Sequence, residues 1–271
     1  MKHRHTMILL GVSLVVCVIL RILQLAFIID SATGFVKQQY SAISLAITII
    51  VCAATASVAF LAAHANETKQ KSEVFSPAVA VASIFVGIMF IYRFIINVTL
   101  FGKGPENGII LVFLALACAG VFAAYGVREI FGYKIPSIIL VVPVVYYIVK
   151  LVSVFISTAK LALVTENVFT LFTNCVILWF VFEFSKFENQ IGELENSPKK
   201  LFASGIAVIM LCAVTTLPKI ILVIAGKLQA SYDDVATSLL NISVAIFVLV
   251  YILCNFDDKT KSKKAIYKHS A

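Results

Sequence analysis

Residues 85–101 read FVGIMFIYRFIINVTLF, and this stretch decides the fold class. Sixteen of its residues suit a helix buried in lipid, and the remaining one, Arg93, places a full charge near the middle. A helix needs about 20 predominantly apolar residues to cross the hydrocarbon core of a bilayer. The stretch therefore predicts a membrane-spanning helix, and it raises the question of what an arginine contacts inside it.

The whole chain has the composition of a membrane protein. Hydrophobic residues make up 61% of the 271 residues, charged residues make up 13%, and the mean hydropathy is +1.01. A soluble domain carries about 25% charged residues, so this chain has too little polar surface for a globule in water. We therefore predict an all-α, polytopic transmembrane helical bundle without a separate soluble domain.

Eight apolar runs approach the length of a spanning helix. They lie near residues 7–29, 42–64, 77–99, 108–126, 136–157, 162–185, 201–226 and 236–256. The first run is too long for a cleaved signal peptide and contains Arg21, so we predict an uncleaved first helix. The runs predict one transmembrane domain over residues 1–256 and a basic cytoplasmic tail over residues 257–271.

The distribution of lysine and arginine predicts the orientation in the membrane. Fourteen of these residues lie in the N-terminal segment, the even-numbered loops and the tail, and only four lie in the odd-numbered loops. Basic residues are retained on the cytoplasmic side, so both termini are predicted to be cytoplasmic in a cell (inner) membrane. The net charge of +8 follows from this topology, and we expect the lipid bilayer, not nucleic acid, as the partner of these charges.

Each odd-numbered helix carries one basic residue inside its apolar run: Arg21, Arg93, Lys150 and Lys219. Each lies about two-thirds of the way along its run, and the flanking sequences are similar, which suggests a repeated helical hairpin. Long basic side chains can extend to the headgroups, but side chains lean toward the N-terminus of their helix, away from the nearer membrane surface here. A lipid-facing cation also costs at least about 2.5 kcal/mol. We therefore predict that the four cations face the interior of the bundle.

Five acidic residues are candidates to compensate these charges. Glu166 lies about one turn inside the sixth run, while Asp30, Glu106, Asp233 and Asp234 lie at the outer rim. If the acids pair fully with the cations, the network is structural, and the protein is a structural or sensory membrane component. If they do not, the four cations and Glu166 line an outward-facing basic cavity for an anionic small molecule or a lipid headgroup. The second interpretation predicts transport or binding.

Two prolines and several polar residues lie inside the spans. Pro143 and Pro218 precede Lys150 and Lys219, and proline inside a helix removes a backbone hydrogen bond and bends the chain. Discontinuous helices often build transporter sites, so we predict helix breaks at both prolines. The remaining polar residues of note are Tyr92, Tyr146 and Tyr147, which flank the cations, and Asn97, Asn167, Asn174 and Asn241, which are expected to bond across helices.

No pattern typical of catalysis or metal binding is present. The six cysteines all lie in apolar runs without a C-x-x-C pair, and the four histidines lie at the predicted cytoplasmic edges. There is no nucleophile with a base inside the spans. We therefore expect no enzymatic activity, no catalytic residue, no metal site and no cofactor.

Two stretches carry a resemblance to a known group. Residues 30–35 read DSATGF directly after the first run, and residues 143–155 read PVVYYIVKLVSVF ahead of Glu166. They resemble a family of uncharacterised multi-span membrane proteins of clostridial-type bacteria, in which a D-x-x-T-G-F turn follows the first span. The resemblance covers about 30 residues and implies a bacterial cell membrane, but no activity or substrate. In the turn, Gly34 is expected to supply a positive φ.

Overall fold

The computed structural model describes residues 3–29, 36–64, 68–70, 76–102, 108–133, 136–160, 165–189, 197–228 and 231–258. These residues contain eight long apolar helices, which confirms the all-α class and the predicted number of spans. The helices are α1 (His3–Leu23), α2 (Ser41–Ala63), α3 (Pro77–Thr99), α4 (Ile109–Phe131), α5 (Val142–Lys160), α6 (Thr165–Glu188), α7 (Ser197–Ile224) and α8 (Tyr232–Asn255). The protein is a multi-span membrane protein.

Successive helices run in opposite directions, so the bundle has two distinct ends. At one end, Arg128 near the end of α4 and Tyr251 near the end of α8 both contact Glu188, the last residue of α6. We call this the basal end. At the other end, Gln24 directly after α1 contacts Ser44 near the start of α2, and Arg93 of α3 contacts Asp233 at the start of α8. We call this the distal end.

Helix α7 lies at the centre of the bundle. It packs against α1, α2, α6 and α8, and residues 201–216 are buried without interruption. A helix that is apolar on all sides is stable only when other helices or lipid surround it, and here the surroundings are protein. Around it, α3 packs against α4 and α8, and α5 connects α4 with α6.

The helix ends follow local sequence signals. Pro77 begins α3, where its missing N–H would be unpaired in any case. Gly132 ends α4 in the left-handed conformation, with φ of 71° and its N–H bonded to the Arg128 carbonyl. Ser231 and Asp234 cap α8 reciprocally, each side chain accepting a bond from the other's backbone N–H.

Outside the helices, the described chain contains a short antiparallel ribbon. Strand β1 (Thr68–Gln70), which follows α2, pairs with strand β2 (Phe256–Asp258), which follows α8. The predicted tail at 257–271 therefore begins inside β2. Its remaining residues, 259–271, lie outside the described part of the chain.

Two predicted details of the spans are wrong. The fourth run was expected to end at residue 126, but α4 continues to Phe131, because Arg128 and Glu129 find polar partners at the basal end. Pro143 was expected inside the fifth helix, but it is the second residue of α5, directly after a 3-10 turn over Ser137–Val141. A proline in the first turn interrupts no hydrogen bond of the helix.

A glycine on α4 permits the close packing of α3 against α4. A Cβ atom added at Gly126 would lie 2.9 Å from the Ala80 carbonyl oxygen and 2.7 Å from Cγ1 of Ile84. We expect Gly126→Ala to lower the free energy of unfolding by about 1–3 kcal/mol, the usual cost of overpacking, in reversible unfolding in mixed micelles. Gly120→Ala on the same helix is the matched control, since no atom lies within 4 Å of the added Cβ. Equal effects of the two substitutions would contradict this account.

Candidate functional site

Arg21 lies in a polar group between α1, α2 and α6. Its side chain is 0% exposed, and its guanidinium carbon lies 4.0 Å from the ring centre of Phe169 on α6. Arg21 donates to the Gln24 side-chain oxygen at 2.6 Å, and the Gln24 amide donates in turn to the Ser44 hydroxyl at 2.8 Å. Gln24 begins a five-residue π-helix that ends at Ile28, and such turns are frequent at functional sites. The charge is therefore held by protein groups and not by lipid.

Arg93 has a defined counter-charge. Its side chain is 2% exposed, and its Nη1 atom lies 2.7 Å from the carboxylate of Asp233 in the first turn of α8. The same nitrogen donates to the Thr237 hydroxyl at 3.1 Å. The Tyr146 hydroxyl of α5 lies beside the guanidinium. The arginine that interrupts residues 85–101 thus connects α3 with α8 and α5.

Lys150 is buried in the same half of the bundle. It is 3% exposed, and its ammonium lies 5.8 Å from the ring centre of Tyr147. The Tyr147 ring packs edge-on against Tyr146 at 5.2 Å, and Tyr146 packs edge-on against Phe90 at the same distance. The two tyrosines therefore lie between Arg93 and Lys150.

The fourth predicted cation differs from the other three. Lys219 follows Pro218 inside α7 and is half-buried. Helix α7 continues through Pro218 up to Ile224, so the helix break predicted there is not a chain interruption. Among the basic residues that the structure describes, Arg21, Arg93 and Lys150 are the most deeply buried.

The predicted acidic residues have different positions. Asp233 pairs with Arg93, while Asp234 is exposed and caps α8 through Ser231. Glu166 lies in the first turn of α6, and its side chain is outside the described part of the structure. Two further predicted rim acids lie outside the described residues altogether: Asp30 and Glu106. The DSATGF turn at residues 30–35 lies outside them as well.

Sequence reasoning named Tyr146 and Tyr147 beside the cations, but it missed Gln24 and Thr237, which accept hydrogen bonds from Arg21 and Arg93. Gln24 follows Arg21 at a spacing of three residues, which places both side chains on one helix face, and that spacing was the available signal. The asparagines were expected to bond across helices. For Asn174 this expectation is wrong, since within the described part of the chain neither its amide oxygen nor its nitrogen has a hydrogen-bond partner.

A second polar group, also missed, lies at the basal end. Glu188 accepts hydrogen bonds from the hydroxyls of Tyr125 at 3.0 Å and Tyr251 at 2.9 Å. Its other oxygen lies 2.9 Å from Arg128. One carboxylate thus joins the ends of α4, α6 and α8, and closes the bundle at this end.

Comparison of the chain with protein-family models, with curated proteins and with solved structures finds no match in any of the three.

Proposed function

We propose that this protein binds a small organic anion in the distal half of the bundle and carries it across a bacterial cell membrane. The distal half is assigned to the outer side, since the basic residues predicted to be cytoplasmic accompany the basal end. The structural observation that supports the proposal is the burial of Arg21, Arg93 and Lys150, contributed by three different helices and each at most 3% exposed.

Buried charge is costly, and this cost supports a functional role. Ionisable residues within membrane spans are expensive, and they mark ligand and ion pathways more often than they contribute stability. The outer loops and the outer halves of the spans together contain eight basic and five acidic residues. Even if every acid pairs with a cation, three positive charges remain, so the potential in this half of the bundle is positive and favours an anion.

The alternative is a structural or sensory protein whose buried charges are compensated internally. The observation that favours it is Arg93, whose Nη1 atom already donates to Asp233 and Thr237. A substitution that neutralises Lys150 separates the two functions by its effect on the response to a ligand. Its effect on folding does not separate them.

We expect a carboxylate to stabilise the purified full-length protein against heat. A ligand at 100 times its Kd adds about 2.7 kcal/mol to the free energy of unfolding. The assay titrates sodium propionate at constant ionic strength set with sodium chloride, and it follows unfolding by the fluorescence of Trp179, the single tryptophan. Lys150→Met should lose the stabilisation, and Lys150→Arg should keep part of it.

The matched control is Lys37→Met, which removes a charge at the distal end. Lys37 is exposed and donates to the Phe27 carbonyl, so its loss should leave the response to propionate intact. If propionate fails to stabilise the wild-type protein, or stabilises Lys150→Met equally, the anion-binding function is refuted and the structural role is favoured.

A further inference from the structure

Several buried polar atoms have no hydrogen-bond partner among the described residues, and Asn174 and Tyr147 are two of the side chains that carry them. Asn174 of α6 is 1% exposed, and both its amide oxygen and its amide nitrogen are unbonded among the described residues. The hydroxyl of Tyr147, on a fully buried ring of α5, is unbonded as well. Buried polar atoms almost always have partners. The neighbouring Thr173 follows that rule, since its hydroxyl bonds to the Phe169 carbonyl one turn back on its own helix.

Lys150 of α5 and Asn174 of α6 lie at a similar depth in the bundle. Helices α5 and α6 are antiparallel neighbours joined at the distal end. Lys150 lies ten residues before the end of α5, or about 15 Å at 1.5 Å per residue. Asn174 lies nine residues after the start of α6, or about 14 Å. The Cα atoms of Lys150 and Asn174 therefore lie at similar heights, near the middle of their spans.

Asn174 lies on the side of α6 that faces α5. Phe180 of α6 packs against Gly205 of α7, which identifies the side of α6 that faces α7. Asn174 lies about 120° away from Phe180 around the helix, on the side that includes the buried residue Val181. The remaining large neighbour of α6 is α5, so this side faces α5.

Helix α7 closes the third side of this region. Its residue Cys212 lies within electrostatic interaction range of both Lys150 and Tyr147. Cys212 and Asn174 are also level, since they lie 15 and 14 residues from the basal ends of their helices. An ammonium, a phenol and an amide thus surround one buried region between α5, α6 and α7.

We propose that Lys150, Tyr147 and Asn174 form a binding site for a small 2-hydroxycarboxylate, a refinement that rests on the function proposed above. The ammonium, the phenol and the amide nitrogen donate to the carboxylate. The amide oxygen of Asn174 is an acceptor only, so it requires a donor on the ligand. A hydroxyl beside the carboxylate supplies that donor. The phosphate group of a monoester dianion lacks a hydroxyl donor, and the ammonium of an amino acid would be repelled by Lys150.

Lactate and propionate are the matched probes, because they differ only by the hydroxyl. In the full-length protein in lipid nanodiscs, Trp179 fluorescence should report about tenfold tighter binding of lactate, the difference that one hydrogen bond to a well-placed group provides. Asn174→Leu should remove this preference, and because the amide nitrogen also donates to the carboxylate, it should weaken propionate binding as well. Thr173→Val, which removes a satisfied hydroxyl from the adjacent position, should preserve the preference.

Two further measurements distinguish a loss of binding from a loss of folding. Asn174→Leu should raise the melting temperature of the ligand-free protein, since it removes an unbonded buried amide; a large decrease would instead assign Asn174 a structural role and refute the site. Tyr147→Phe removes one oxygen without a change in packing, and it should weaken lactate and propionate binding equally.

Tight but equal binding of both acids to the wild-type protein overturns this site and leaves the proposed function standing. Binding of neither overturns both.

Discussion

Replacement of Asp233 by alanine is expected to lower the free energy of unfolding by about 3–5 kcal/mol, because it leaves the buried Arg93 charge without its carboxylate. Asp233 is the partner at 2.7 Å, and the arginine is 2% exposed. The remaining bond to the Thr237 hydroxyl is neutral and does not compensate a charge. Reversible unfolding in mixed micelles measures the change.

Two further variants separate the charge from the packing. Arg93→Met combined with Asp233→Leu should recover most of the lost stability, since replacing both members of a buried pair by apolar groups is often neutral. Asp234→Ala, at the adjacent position, removes only the cap of α8 and should cost about 0.5–2 kcal/mol. If Asp233→Ala costs no more than Asp234→Ala, the ion pair does not hold α3 to α8.

The sequence predicts the spans well because the driving force is local. A run of twenty apolar residues is buried in lipid or in protein. In the bilayer it forms a helix, because a helix satisfies all backbone hydrogen bonds within the segment. The errors occur where a polar residue finds a distant partner. Arg128 was read as loop because it is charged, yet it continues α4 because Glu188 of α6 accepts its hydrogen bond. No pattern within α4 contains that information.

The candidate site was predictable to a similar extent. A cation that lipid does not tolerate must face protein, and this reasoning applies to Arg21, Arg93 and Lys150 from their positions alone. Which protein groups contact these cations depends on how each helix is rotated about its axis and on which helices pack against it. Whether Arg93 contacts an acid on α8 or on another helix follows from the packing of α3 against α8, which one sequence does not specify. The same holds for the unbonded amide of Asn174.

Replacement of Glu188 by alanine is the second large effect that we expect. The carboxylate accepts from two tyrosine hydroxyls and one guanidinium, and its side chain is 10% exposed. Its removal leaves Tyr125, Tyr251 and Arg128 without an acceptor among the described contacts, and hydrogen bonds to a charged group contribute about 1.5–3 kcal/mol each. Since the three bonds share one acceptor and are not additive, we expect a loss of about 3–5 kcal/mol in the free energy of unfolding, the range found for breaking a buried ion pair.

Smaller substitutions at the same place resolve which bond matters. Tyr125→Phe and Tyr251→Phe each remove one donor and keep the ring, so each should cost less than Glu188→Ala. Glu129→Gln is the control, because Glu129 lies at the same end and, among the described residues, accepts one long bond, 3.4 Å from the Ser76 nitrogen; its change should stay below about 1 kcal/mol. Because Glu188 joins α4, α6 and α8, its loss should also speed the labelling of Cys254, a partly exposed cysteine near the end of α8, by a water-soluble thiol reagent from the basal side. Unchanged labelling together with unchanged stability would show that the apolar contacts alone close this end of the bundle.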